Sequence, residues 1–396
     1  MTTQSSPTVP VYDLDLYDAA AIADPYPHYR ALRDLGPVVW LPRHGVYALP
    51  RYAQVRATLA DDDTFRTSFG VSLNPEYGAL LEGSTFASDG SRHRFLRGVV
   101  AQELAPRKLR GITERVAATA DTVADELLAG GEFDAVTDLA RRMVLAIVPD
   151  FIGIPEDGRE HLVDWAAANF NCHGPLNARA RASMTESGCM AAYAQRLVDE
   201  RAAQPSGVAH RVLEALDRDE IDAGQAVSLM IDYLAPSLDT TVTGISTAIW
   251  LFGRYPEQWQ RVREDPALIP HAFNEVLRFE TPVRAFGRRV SRDTEIAGTV
   301  VPQGAQVLIL FASANRDERK WDRADVFDVG RKPTDHVGFG YGVHGCVGQG
   351  LARLETHTLL AALARRVERF EVGGERWAIN NLMRALDTAP TRVHAA

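Results

Sequence analysis

The chain has 396 residues, 46% of them hydrophobic and 24% charged, with a formal net charge of -9. That is ample material for a core, which excludes a disordered or collagen-like chain, and the acidic balance excludes a general binder of phosphate backbones. Three cysteines cannot build a disulfide framework, and neither a leader sequence nor a run of 18 apolar residues is evident, so a cytoplasmic protein without nucleic-acid or membrane partners is expected.

Taken in chain order, residues 1–10 are expected to fray. Residues 38–48 alternate around a turn at His44-Gly45 and read as a strand pair. Residues 112–128, 134–152, 157–170, 179–203 and 209–218 repeat apolar positions at three- and four-residue spacing, which predicts helices. Residues 294–310 read as a hairpin, with 295–298 set against 306–310. The fold class is mainly α with a smaller β portion. The longest helix starts near Asp222, where Gln225 three residues on completes a capping box, and stops near Gly253. About 30 residues would span roughly 45 Å. Its middle is unusual, because Pro236 lacks a donor and Asp239-Thr240-Thr241 follows at once. Either proline bends the helix and hydroxyls bond the preceding turn, or the helix opens for a ligand.

Residues 339–350 carry five glycines around Cys346, just ahead of an apolar helix. Glycines allow unusual dihedrals and close approach of a flat ligand, and a helix N-terminus favours a thiolate. Cys172 and Cys189 read as small hydrophobes. The spacing of Phe339, Gly340, Gly342, His344, Cys346 and Gly348 resembles the haem-binding signature of the cytochrome P450 family, the haem-thiolate monooxygenases. Further motifs follow in that family's order. Glu275 and Arg278 match Glu-x-x-Arg; i and i+3 share a helix face, and alone they would be a surface ion pair. His93 and Arg97 match a His-x-x-x-Arg pair, and Asp239-Thr240 matches an acid–alcohol pair.

The resemblance implies the P450 fold, one domain over 11–396 with a long central helix over haem b. It implies Cys346 as the iron ligand, with Phe339 and Gly340 in the cofactor loop. His93, Arg97, Arg288 and His344 become propionate donors, and Glu275 and Arg278 a structural network. The third basic partner expected just before Phe327-Asp328 is replaced by Val326. Asp89-Gly90-Ser91 stands where the family has Asp-Pro-Pro, which is expected to loosen the preceding loop. Pro236-Ser237 stands where it has Ala-Gly, so a proline fixes the kink where the family relies on glycine flexibility. Asp239 and Thr240 become catalytic, passing protons to bound dioxygen. Without a nicotinamide or flavin fingerprint, electrons must come from a ferredoxin and its reductase, docking on a basic patch for which Arg107, Lys108 and Arg110 are candidates. A peroxide-driven peroxygenase and a non-catalytic haem sensor are the alternatives; the acid–alcohol pair argues against both.

The likeness is greatest to the bacterial group that demethylates para-methoxybenzoates, densest in residues 24–27, 170–177 and 337–355. Yet no Lys or Arg occurs between Arg66 and Arg92, and the central helix offers Ile231 and Asp232, which would repel a benzoate unless Arg284 compensates. The expected substrate is a neutral methoxylated aromatic, walled by Phe170, Leu238, Val283, Phe286 and Leu382. A larger natural product is the alternative.

Overall fold

Asp222 opens the central helix, Ala223–Arg254: its carboxylate accepts from Gln225 N at 2.8 Å while Gln225 Oε1 accepts from Asp222 N at 3.0 Å. In this computed structural model, which describes residues 9–396, the helix runs unbroken through Pro236. Every residue from 241 to 252 is buried, as expected for a helix surrounded by protein. Helices Leu162–Cys172, Ala178–Asp199, Val208–Asp217 and Gln349–Ala364 pack around it. They share one apolar core that extends from Leu96 to Val393. Among the described residues no helix is long and apolar enough to cross a membrane.

A five-stranded sheet forms a second layer, in the order Val39–Leu41, Val46–Leu49, Gln306–Leu310, Ala285–Val290, Phe65–Arg66. Val46–Leu49 runs parallel to Gln306–Leu310; the other neighbours are antiparallel. The sheet's two faces carry separate apolar clusters, one around Leu49 and Ile309, the other around Leu32 and Leu308. A three-stranded sheet joins Glu132–Asp134, Pro390–Ala395 and Val367–Val372.

Two expectations need correction. The hairpin closes as Thr294–Ile296 on Thr299–Val301, turning at Ala297 and Gly298, both at positive φ, while Gln306–Leu310 leaves to join the five-stranded sheet. Its uninterrupted apolar run suits a strand buried on both faces, which local alternation cannot reveal. Residues 134–152 form three pieces, a π-helix at Ala135–Arg141 and helices at Arg142–Leu145 and Val148–Ile152, with Pro149 opening the last. The expected fraying of residues 1–10 falls mostly on 1–8, outside the described residues; the Pro10 carbonyl accepts from Trp40 N at 2.8 Å and is held.

Candidate functional site

The cysteine loop lies between Val337 and the helix Gln349–Ala364. Gly340 and Gly342 sit at φ 67° and 71°, and a Cβ on Gly342 would fall 2.3 Å from Leu59 O. That glycine is required on two counts, its backbone conformation and its closeness to the neighbouring chain. Cys346 N donates to Phe339 O at 2.8 Å, closing the loop. Burial pushes the Cys346 thiol up; N–H groups of Gly348 and Gln349, with the Arg97 and Arg353 guanidinia, pull the other way. The helix N-terminus therefore offsets burial without overcoming it. Arg353 also lies over the Phe339 ring, 4.5 Å from its centroid.

Four sequence-predicted donors gather beside this loop. The His93 and His344 rings lie against each other, their centroids 4.0 Å apart and their planes tilted by 39°. Arg97 donates to Val343 O at 3.1 Å and Gly345 O at 2.7 Å, tying the helix Gly90–Ala101 to the loop. Arg288 is buried, and its acceptor is the carbonyl of its own neighbour, Gly287, at 2.7 Å. Burial lowers Arg288 to about 10 and His344 to about 3, and His93 is lowered as well, so both imidazoles are neutral N–H donors near pH 7. A buried guanidinium without a carboxylate calls for an anion. These donors, with a half-buried cysteine in a glycine frame, fit haem: the donors would hold its two propionates and the cysteine sulfur its iron. The loop before His93 is pinned rather than loosened. Asp89 accepts from Thr67 N at 2.8 Å, Thr67 Oγ1 at 3.0 Å and Ser68 N at 3.1 Å, and from Ser68 Oγ. Burial pushes its carboxyl up, but these bonds outweigh that and hold it below the usual range.

On the central helix, Pro236 is exposed and Ser237 and Thr240 half-exposed, in contrast to the buried turns that follow. Thr240 Oγ1 donates to Pro236 O at 2.6 Å, and Ser237 Oγ to Tyr233 O at 2.5 Å. Hydroxyls thus bond the preceding turn, and the helix stays closed. Asp239 is buried on another face. Burial raises its carboxyl to about 7, opposed by Arg141 and reinforced by Asp164. Arg141 and Asp164 pair at 2.8 Å near solvent.

Phe170 and Leu382 belong to one apolar cluster, against which Val283 and Phe286 pack. Leu238 lies instead in the main core, fully buried. Two aromatics not singled out from sequence, Phe86 and His173, complete the cluster: Phe86 meets Phe286 at 4.8 Å and His173 at 5.3 Å. Asp232 accepts from Thr85 N at 2.7 Å, and burial raises its carboxyl to about 7. Arg284 does not compensate it. Its guanidinium donates to Asn380 O at 3.1 Å and Asn381 O at 2.7 Å.

Glu275 and Arg278 are fully buried and joined twice, Nε to Oε2 at 2.7 Å and Nη2 to Oε1 at 2.8 Å. Sequence reasoning missed the third partner, Arg331, which reaches Glu275 Oε1 at 3.2 Å. Val326 contributes its carbonyl, which accepts from Arg278 Nη2 at 3.2 Å. Arg331 lies just beyond Phe327-Asp328, and its role depends on how that segment folds back. Arg107 and Arg110 are exposed on the turn Pro106–Arg110, while Lys108 pairs with Glu103 at 3.0 Å. Leu109 seats this turn against the cysteine loop: a Cβ on Gly350 would meet its Cδ1 at 2.8 Å.

The family model described as Cytochrome P450 matches residues 195–386. Cytochrome p450 CYP199A2 of Rhodopseudomonas palustris is 39% identical over 399 residues, covering 100% of this chain and 97% of that protein. Among solved structures, P450BioI with an acyl carrier protein ligated to hexadec-9Z-enoic acid superposes with TM-score 0.86 at 26% identity, covering 95% of this chain and all of that one. Cytochrome P450 CREJ in complex with (4-ethylphenyl) dihydrogen phosphate also gives 0.86, at 25% identity, over 94% of this chain and 98% of that one.

Proposed function

The chain belongs to the cytochrome P450 family of haem monooxygenases, and on that premise we propose that it oxidatively O-demethylates, or hydroxylates, a small neutral methoxylated aromatic. The observation that carries this reading is the aromatic cluster around Phe86, Phe170 and Phe286, beside which the Asp232 carboxyl is fixed through Thr85 N, while Arg284 turns its Nη2 to main-chain carbonyls. A carboxylate ligand would meet an acid there, not a cation. The likeness to CREJ, solved with an aryl phosphate, supports a small aromatic ring in the ligand, while the neutrality of the substrate rests on Asp232.

Haem b is the cofactor. Cys346 would hold its iron, and Arg97, Arg288, His93 and His344 its propionates. When bound, it supplies the iron at which dioxygen is reduced, with a sulfur ligand that favours O–O cleavage. The chain's own groups do the rest. The cluster excludes water and orients the ring. Thr240 Oγ1 donates its hydrogen bond to Pro236 O and keeps lone pairs to accept a hydrogen bond from a water. Asp239, with a carboxyl near 7, carries protons inward from solvent past the Arg141–Asp164 pair. Two electrons and two protons, with one dioxygen, convert the methoxyarene to a phenol, formaldehyde and water. We assign the electrons to a cytoplasmic ferredoxin with its reductase, because exposed Arg107 and Arg110 flank the cysteine side.

The test compares methoxyphenols with methoxybenzoates for the ferric spin-state shift and for formaldehyde release. The expected result is a response to the phenols. Demethylation of the benzoates alone would refute the charge argument, and silence with both would favour a larger natural product.

A further inference from the structure

We infer that His173 is the specificity residue of this pocket, its imidazole taking a hydrogen bond from a hydroxyl on the substrate ring. This rests on the proposed function and deepens it from a neutral aromatic to a phenol.

His173 is placed by its main chain. It caps the helix Leu162–Cys172, its N–H donating to Phe170 O at 3.2 Å. Its carbonyl accepts from Leu73 N at 3.0 Å and Ser72 Oγ at 3.2 Å. The side chain therefore has one place to go, into the aromatic cluster. Tyr77, Phe86 and Phe286 meet the imidazole edge-on at 4.9, 5.3 and 5.6 Å, and the ring is 5% exposed.

That is a poor place for an imidazole with no partner. Nδ1 is buried without a hydrogen bond among the described residues. A phenylalanine or leucine would fill the same space with no stranded polar atom, and stranding one costs stability. Tyr77 is not the missing partner: its ring meets the imidazole edge-on and no hydrogen bond joins the two. Burial lowers His173 to about 3, so at working pH the ring is neutral, with one N–H and one acceptor nitrogen. A half-turn about Cβ–Cγ exchanges the ring edges without moving the plane. Either nitrogen can then face the Phe86 and Phe286 side of the cluster, both rings being half-exposed.

The chemistry selects the ligand. A neutral imidazole offers a carboxylate no charge attraction, and Asp232, fixed through Thr85 N beside Phe86, opposes an anion. A phenolic hydroxyl suits both: it is neutral, and it donates to the acceptor nitrogen. The remaining surface of the cluster is apolar and holds the ring.

The test uses the haem-loaded protein and two ligands of nearly equal size, 4-methoxyphenol and 4-methoxytoluene, titrated by the ferric spin-state shift. Wild type is expected to bind the phenol more tightly. His173→Phe should weaken 4-methoxyphenol about tenfold, the size of one good hydrogen bond, and leave 4-methoxytoluene unchanged or tighter. His173→Gln, which keeps a donor and an acceptor, should restore part of the preference. If both ligands bind wild type and His173→Phe shifts them equally, or shifts neither, the inference falls while the proposed function stands. If wild type responds to neither ligand, both fall.

Discussion

Cys346 is held between opposed influences: burial disfavours its thiolate, while two backbone N–H groups and two guanidinia favour it. A bound cation would decide the balance, since a coordinating thiol loses its proton outright. The reduced, carbon-monoxide-bound protein should show the far red-shifted Soret band of thiolate ligation. Cys346→Ser should abolish it. Cys172→Ser and Cys189→Ser should not, the first being a core residue whose sulfur faces Ala180 O and the second lying exposed on a helix. Asp239 makes a pH prediction. Its carboxyl is raised by burial to about 7 from an ordinary 3.8, so the folded chain binds that proton more tightly than the unfolded one. Stability is therefore lost as pH rises from about 4 to about 7. Asp239→Asn should be more stable than wild type at pH 8, with the gap closing towards pH 4 in thermal melts. The substitution should act oppositely on turnover: wild type slows as pH rises through about 7, while the variant, though more stable, is slow throughout and lacks that limb.

At the level of elements, the central helix is kept whole by the hydroxyls that follow its proline. Thr240 Oγ1 bonds Pro236 O, yet Thr240 stays half-exposed on the open stretch of the helix. Thr240→Ala should leave the spin-state shift close to wild type while diverting reducing equivalents to hydrogen peroxide, measured as formaldehyde formed per NADPH consumed. Unchanged coupling would hand the role to Ser237. The helix Ile269–Phe279 supplies a different device. Arg278 donates to Asn315 O at 2.9 Å and Ala324 O at 2.8 Å, and Glu275 accepts from Arg278, Arg331 and Asp328 N. One buried ion pair thus fastens the helix to the segment leading into the cysteine loop. Glu275→Ala strands a buried guanidinium and should cost about 3–5 kcal/mol, seen as poor haem loading. Arg331 is partly exposed, so Arg331→Ala should lose less, about 1.5–3 kcal/mol in denaturant titrations.

Across the whole molecule, the net charge of -9 conceals a local cationic edge. Arg107 and Arg110 stand exposed on the turn whose Leu109 meets Gly350, and Arg56 covers the exposed Tyr341 ring at 3.1 Å from its centroid. Reversing Arg107 and Arg110 to Glu should slow reduction by ferredoxin several-fold at low salt, flatten its salt dependence and leave ligand binding alone. The same scale separates what was legible in sequence from what was not. Local and spaced motifs were legible: the capping box at Asp222, the glycine frame of Cys346, the i, i+3 pairing of Glu275 with Arg278, and the His93 and Arg97 pair. Each depends on one helix or one loop, whose geometry its own residues dictate. Arg331, the pinning of Asp89 by Thr67 and Ser68, and the influence of the Arg141 and Asp164 charges on buried Asp239 were not. Neither was the transfer of Gln306–Leu310 to another sheet, or the aromatic enclosure of His173. All of these join segments distant in the chain or turned by a loop, and burial supplies their energetics. Hydrophobic periodicity says which face of an element is buried; only the tertiary packing says which partner covers it, and hence which polar group is left without one.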